Sequence, residues 1–318
     1  MTIKSQGQNM AGLTHDSWGQ KLARRTYKRR APETFWGPLF VIPAILFLAV
    51  FRFYPLLRGV GYALTDWDGI HEPNFVGLAN FERLLFRDPL FHDAVVNLLK
   101  VLLTLPVWII FPLVLALLIH QKVPGWKFFR AAFFFPTVLS AVIVAAIFTM
   151  VLKLDGALNS ILRLVGLDVL AVDWLGTLDT ALPTVVAVAL WASFGVGVII
   201  YLAALATMDQ DLIDAATVDG ANWFQTLWHV VIPSIRPTIE FYSVMMIKMM
   251  LAGLFAYIFV LTSGGPGSST YLPEYLIWEN MGKLNRPGYA TAISTLVFVI
   301  FMGVIIVQVR FMTRRAEE

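Results

Sequence analysis

Six apolar stretches dominate this sequence, and each is long enough to cross a lipid bilayer as a helix, which takes about 20 residues. They cover roughly residues 36–56, 94–119, 131–152, 184–206, 238–262 and 289–309. In lipid, every backbone polar group must be satisfied within the segment, which favours helices. Barrel strands would be about ten residues long and would alternate in polarity, and no such alternation is present. The sequence therefore predicts an all-α membrane protein with six transmembrane helices.

Composition narrows the class of function. Charged residues make up only 14% of the chain, whereas soluble domains carry about 25%. Cysteine is absent and the five histidines are scattered, so we predict no metal site and no cofactor bound by this chain. The formal net charge of +3 is too small to indicate nucleic-acid binding. The polar, basic N-terminal segment makes membrane lipid an expected partner.

The distribution of Lys and Arg predicts the orientation. These residues are concentrated in the N-terminal tail, the second connection and the C-terminal tail, and such residues mark the cytoplasmic side of a membrane protein. Both termini are therefore expected in the cytoplasm. We divide the chain into a basic cytoplasmic segment at 1–35, a six-helix membrane domain at 36–312 and a short cytoplasmic tail at 313–318.

The fourth connection, residues 209–237, is the most informative segment. Asp209 or Asp211 can cap a first short helix, because a carboxylate accepts the unpaired amide protons at a helix start. Gly220 follows an aspartate and can take a positive φ without steric cost. The pattern predicts two short helices separated by a tight turn.

The second short helix is predicted over 221–231, where large apolar residues recur at helical spacing. Pro233 and Pro237 are expected to end it and to start the next span. A loop with this layout and four aspartates has two interpretations. It is either an amphipathic hairpin at the membrane surface or a rigid projection that a separate motor protein grips.

This connection resembles the signature loop of the permease subunits of ABC importers, written Glu-Ala-Ala, three residues, Gly, nine residues, Ile-x-Leu-Pro. Asp214 stands where the family has Glu, and Val230 and Ile232 are mild replacements. Asp keeps the charge but shortens the reach by one methylene. From the resemblance and the loop's own pattern, we predict that the ATPase-coupling residues are Asp211, Asp214, Ala215, Ala216, Asp219, Gly220, Ala221 and Pro233.

Four further motifs resemble the sugar branch of these permeases, especially its maltose-permease-F-like and glycerol-3-phosphate-permease-A-like members. They lie at 75–81, at 129–136, at 261–266 and at 288–290. They occur in the family's order and between the expected spans, and the resemblance covers roughly residues 36–312.

The resemblance implies a type I ABC importer permease fold in the bacterial inner membrane. It also implies a second homologous permease, which makes a heterodimer, and an extracytoplasmic substrate-binding protein. Two cytoplasmic ATPase subunits would bind ATP and Mg²⁺ and drive alternating access. The expected solute is a carbohydrate, an oligosaccharide that could be anionic, such as a uronate oligomer or a sugar phosphate. The chain has no phosphate-binding loop of its own, so we expect it to be non-catalytic.

Aromatic and polar side chains in the fourth and fifth spans are candidates for contact with the solute, because sugars are bound by aromatic faces and a few polar groups. Lys248 stands out, since a lysine near the middle of a span costs about 2.5–3.5 kcal/mol on insertion scales. We place Met245, Leu251, Ala252 and Phe255 on its helix face. The candidates for the substrate passage are Trp191, Phe194, Lys248, Leu251, Phe255 and Tyr257.

Two alternative functions fit the sequence less well. A secondary, ion-coupled transporter would need acidic residues inside the spans, and none lies well inside any of the six. An intramembrane enzyme would need a nucleophile with a base, or metal ligands, and no histidine lies well inside a span.

Overall fold

The computed structural model describes the backbone of residues 33–316 and the side chains of residues 40–310. In this part of the chain every regular element is a helix, and the nearest approach to a sheet is an isolated antiparallel bridge between Thr65 and Phe75. The predicted all-α class is confirmed. The predicted N-terminal segment falls almost wholly outside the described residues, as do the side chains of the predicted tail.

The chain divides into two compact units, residues 1–58 and 59–318. In the first unit, α1 (Glu33–Leu48) continues through a π-helical turn (Ala49–Phe53) into α2 (Tyr54–Ala63). Every side chain from 40 to 58 is exposed. An apolar helix with no buried side chain needs lipid or another protein chain around it.

The second unit contains the remaining helices and begins within α2. They are α3 (Ala79–Phe86), α4 (Pro89–Leu103), α5 (Leu105–His120), α6 (Trp126–Val138), α7 (Ala141–Val151), α8 (Ala157–Leu164), α9 (Ala181–Ala206), α10 (Gln210–Val218), α11 (Trp223–Thr226), α12 (Ile232–Ser234), α13 (Arg236–Ala252), α14 (Phe255–Leu261), α15 (Pro273–Trp278) and α16 (Pro287–Ala316).

The core of this unit is built around α9, which is buried along most of its length and packs against α5, α6 and α13. Glycines permit this close packing. A Cβ on Gly195 would lie 2.2 Å from the Phe133 carbonyl oxygen, and one on Gly197 would lie 2.5 Å from the Tyr242 ring. Alanine at either position would force the helices apart.

Four helices are continuous, long and apolar enough to cross a membrane, and the number rises to six if two bent pairs each count as one span. The continuous ones are Phe40–Ala63, Pro89–His120, Ala181–Ala206 and Pro287–Arg310. Each contains most of a predicted span. The sequence therefore located these four correctly.

The third predicted span, 131–152, is wrong as a single helix. α6 and α7 meet at a bend of 102°. Leu139 and Ser140 both have extended backbone, and the Ser140 hydroxyl accepts the Ile143 N–H at 3.4 Å as the cap of α7. Capping by a serine side chain stabilises a new helix start at this point.

The fifth predicted span, 238–262, is also divided. α13 ends at Ala252, and α14 begins at Phe255 after a break at Gly253 and Leu254. At its other end, α13 makes an angle of 69° with the preceding helical run, Trp223–Ser234.

Two of the sequence motifs meet at one end of the second unit. The Asn80 side chain donates to the carbonyl oxygens of Ala63 at 2.9 Å and Thr65 at 2.8 Å. Gly288 donates its N–H to the Trp67 carbonyl at 3.0 Å, and a Cβ on Gly288 would lie 2.5 Å from the Thr65 oxygen. The asparagine and the glycine therefore hold the same short segment from two sides.

Candidate functional site

The first helix of the 209–237 connection is fixed at its start by a side-chain cap. Of the two expected capping residues, Asp209 fills the role, and its carboxylate accepts the Asp211 N–H at 3.1 Å. Asp211 lies in the first turn, where a negative charge suits the helix dipole. Asp214 is exposed and accepts a long hydrogen bond of 3.3 Å from the Gln210 side chain.

The end of the same helix is closed by a backbone motif. Gly220 donates its N–H to the Thr217 carbonyl at 3.1 Å, and Ala221 donates to the Ala216 carbonyl at 2.9 Å. This pair of bonds is a Schellman motif, which needs a left-handed residue at its centre. Gly220 has φ +79°, and no atom lies within 4 Å of the position that its Cβ would take. The glycine is therefore required by the backbone and not by crowding.

The second helical run begins two residues later than predicted and continues further. Asn222 and Gln225 form a reciprocal capping box, with bonds of 3.0 and 2.8 Å. From Trp223 the helix passes through a π-helical turn, Leu227–Val231, and ends at Ser234. The expectation that Pro233 ends this helix is wrong, because Pro233 occupies the first turn of α12, where a missing N–H is tolerated.

The connection is seated on the ends of two long helices. Ile213 of α10 joins Trp223 and Leu227 in lining a cleft of about 240 Å³, whose other wall comes from the ends of α5 and α9. Asp211, Asp214, Ala215, Asp219 and Gly220, in contrast, are exposed. Ile213 of α10 thus faces this cleft, and most of the predicted coupling residues are exposed.

The predicted passage residues do not lie together on one surface. Phe194, Leu251 and Tyr257 are buried within this chain. Phe194 lies between Phe111 and Phe133, with ring centroids 5.3 and 5.7 Å away. In this conformation these three side chains serve the packing of the subunit.

The remaining passage candidates are at least partly accessible. Trp191 is 39% exposed and contacts Phe148 edge-on at 5.1 Å. Phe255 is half-buried and stacks on the exposed ring of Phe259 at 5.5 Å. Lys248 is exposed on α13 and belongs to none of the ion pairs among the described residues.

The helix face expected around Lys248 needs a correction. Leu251 is buried while Lys248 is exposed, so the two do not share an accessible face. Phe255 lies beyond the break at Gly253, where the helical periodicity is interrupted. Ala252 is the exposed neighbour that remains on the expected face.

Sequence reasoning missed Glu274, which lies beside that break. Its carboxylate is largely buried near the N–H groups of Leu254 and Phe255, and its Oε1 has no hydrogen-bond partner. Burial raises the pKa of Glu274 from its ordinary value of 4.5 to about 7, although the two N–H groups act in the opposite direction. The only sequence signal is an acid directly after Pro273, which does not indicate that the side chain points inward.

We expect Glu274 to make the stability of the protein depend on pH. Because the pKa is higher in the folded chain, folding takes up a proton between pH 4.5 and about 7. Protonated Glu274 therefore contributes to the free energy of unfolding. Its contribution is fully present below the unfolded pKa and is lost as the pH rises through about 7, with an upper limit of roughly 3 kcal/mol. The melting temperature of the wild type should fall by a few degrees between pH 5 and pH 8 relative to Glu274→Gln. Parallel melting curves for the two proteins would contradict this assignment.

Sequence comparison places the chain in a family. Residues 78–316 match the family described as the binding-protein-dependent transport system inner membrane component. The chain belongs to this family. It is therefore the permease subunit of a binding-protein-dependent ABC importer, which is a non-catalytic membrane subunit. The resemblance seen in the sequence is confirmed, and the family assignment argues against both the ion-coupled transporter and the intramembrane enzyme.

Relatives of this chain are named as sugar permeases. The chain is 34% identical to the multiple sugar-binding transport system permease protein MsmF of Streptococcus mutans, over 89% of this chain and 97% of the relative. It is 29% identical to the lactose transport system permease protein LacF of Rhizobium radiobacter, over 93% and 99% of the two chains.

Solved structures share the fold. A permease chain of a bacterial alginate ABC transporter, in complex with an alginate pentasaccharide-bound periplasmic protein, aligns with a TM-score of 0.77 and 25% identity. The alignment covers 90% of this chain and 96% of that one. This likeness confirms the predicted ABC importer permease fold.

Proposed function

We propose that this chain and a second, homologous permease form the passage of the importer, and that α10 transmits movement from a cytoplasmic ATPase. Two such ATPase subunits would bind ATP and Mg²⁺, one against each permease of the heterodimer. The observation that carries the proposal is the construction of α10. Its start is capped by Asp209, its end is closed at Gly220, and Ile213 faces the cleft at the ends of α5 and α9. A short helix held at both ends can pass a displacement to the spans without bending.

The proposed orientation puts the 209–237 connection and both termini in the cytoplasm. The concentration of Lys and Arg in the tails and the second connection supports it. A substrate-binding protein would then dock at the opposite face, where Asn80 and Gly288 tie the connections together. The related alginate transporter, which was solved with its periplasmic protein, supports this arrangement.

We assign a carbohydrate as the solute, and an anionic oligosaccharide in particular. The names of the relatives support a sugar, and the alginate pentasaccharide of the structural relative is a uronate oligomer. Within this chain, the exposed Lys248 and the half-exposed rings of Trp191 and Phe255 supply one cation and two aromatic faces. Aromatic faces with a few polar groups are what sugar recognition needs.

The coupling role is tested by reversing the charge of Asp214. We expect Asp214→Lys to lower solute-stimulated ATP hydrolysis severalfold in the complex reconstituted with its companion permease, ATPase and binding protein. The reason is that an exposed carboxylate in an interface meets a complementary group, and a like charge there is repelled. ATP hydrolysis and solute uptake are measured on the same liposomes.

The control is Asp155→Lys, which reverses another exposed aspartate, in a different connection. Its hydrolysis should equal that of the wild type. If both variants hydrolyse ATP and transport solute normally, α10 is an interfacial hairpin and the coupling proposal is wrong.

A further inference from the structure

A second cleft, separate from the coupling residues, opens where α5 ends and α6 begins. It has a volume of about 280 Å³. Its polar rim is formed by His120, Lys122 and Arg130, and Trp126 stands beside them. Its remaining wall is apolar and comes from Ile119 and from α9, with Ile199, Leu202, Ala203 and Ala206.

The rim carries two positive charges that no ion pair in the described part of the chain neutralises. Neither Lys122 nor Arg130 takes part in an ion pair among the described residues. The sequence from 94 to 154 contains no Asp or Glu at all. Two cations left without a counter-charge at the mouth of a cleft favour an anionic ligand.

The start of α6 adds to the same field. The helix begins at Trp126, which itself lines the cleft, and its first turn contains no acidic residue. Gly125 precedes it and provides no side-chain cap. The Trp126 N–H is bonded to the Val123 carbonyl, and the Phe128 and Phe129 N–H groups are bonded to the Gly125 carbonyl. What the start of α6 adds is therefore the positive end of its helix dipole, which favours an anion nearby.

The turn that presents Lys122 is fixed by the backbone. Lys122 has φ +54°, and its N–H bonds the Ile119 carbonyl at 3.0 Å. The Trp126 N–H then bonds the Val123 carbonyl at 3.0 Å. A lysine on a closed turn loses less freedom on binding than one on an open loop.

The position of the cleft decides between a free anion and a lipid. It lies at the ends of two candidate spans, Pro89–His120 and Ala181–Ala206, and therefore at a membrane surface. An inorganic anion would make no use of the apolar wall, whereas a phospholipid would lay an acyl chain along it. We propose that this cleft binds an anionic phospholipid, with Lys122 and Arg130 at the headgroup phosphate and the exposed side of α9 against an acyl chain.

This inference goes beyond the proposed function and does not depend on it, so we test it by binding alone. The assembled transporter is transferred into detergent with phosphatidylglycerol, and the retained lipid is counted by native mass spectrometry. Lys122→Gln and Arg130→Gln should each weaken retention about fivefold, because a basic side chain near an anionic surface contributes about 1 kcal/mol. Phosphatidylcholine, which has no net charge, should be retained weakly by all variants.

The matched control is Lys127→Gln. Lys127 belongs to the same basic segment but lies over the Trp126 ring at 5.7 Å and does not line the cleft. It should retain phosphatidylglycerol like the wild type. Equal loss in all three variants would reduce the effect to general surface charge, and displacement of the lipid by millimolar inorganic phosphate would make the cleft a simple anion site. Either result overturns the proposal.

Discussion

Gly220→Val is expected to lower solute-stimulated ATP hydrolysis and uptake about tenfold in the reconstituted importer. Gly220 closes α10 with φ +79°, and a left-handed conformation costs an L-residue roughly 1–2 kcal/mol, with β-branched residues affected most. Valine shifts the equilibrium toward turns that lack the bonds from Gly220 to Thr217 and from Ala221 to Ala216. At 1.4 kcal/mol per factor of ten, this strain removes most of the population with α10 in its docking geometry.

The control for this prediction is Gly220→Asn at the same position. Asparagine tolerates the left-handed region far better than other residues with a side chain. Because no atom lies within 4 Å of the Cβ position inside this chain, Gly220→Asn should remain close to wild-type activity. If Asn and Val are equally inactive, the glycine is needed for close contact with the ATPase, and the backbone argument fails.

The long apolar spans could be predicted from the sequence because hydropathy over about 20 residues depends only on local composition. The breaks at Ser140 and at Gly253 could not. Serine and glycine are common inside membrane helices, and whether the helix ends there depends on which groups the surrounding structure offers to the free backbone. At Gly253 one such group is Glu274, which lies more than 20 residues further along the chain.

In the candidate site, too, some features follow from the local sequence and others depend on residues far along the chain. The caps and the turn of the 209–237 connection depend on interactions between residues at most four or five apart in sequence. The cap at Asp209 and the turn at Gly220 were therefore predicted correctly. The burial of Phe194, Leu251 and Tyr257 depends on which helices pack against each face. No single-sequence pattern in a uniformly apolar span marks that face.

Lys248→Met is expected to lower uptake about tenfold or more while leaving the assembled complex at least as stable as the wild type. Lysine in a span costs about 2.5–3.5 kcal/mol on insertion scales, and methionine of similar length removes that cost. A hydrogen bond to a charged group is worth about 1.5–3 kcal/mol. At about 1.4 kcal/mol per factor of ten, the loss of such a bond to an anionic solute reduces transport about tenfold or more. A lysine that served only the fold would show the opposite pattern, with lower stability.

Three comparisons complete this test of Lys248. Lys100→Met removes another exposed lysine of a candidate span and should leave uptake unchanged. Lys248→Arg retains the charge and should recover part of the activity. If Lys248 contacts an anion on the solute, Lys248→Met should lose uptake of a uronate oligomer and lose little uptake of a neutral oligosaccharide. If it contacts an anion on the companion permease, uptake of both should fall equally. Normal uptake in a well-assembled Lys248→Met complex would show that the lysine faces no functional partner, and the passage would then have to be sought on other faces of the subunit.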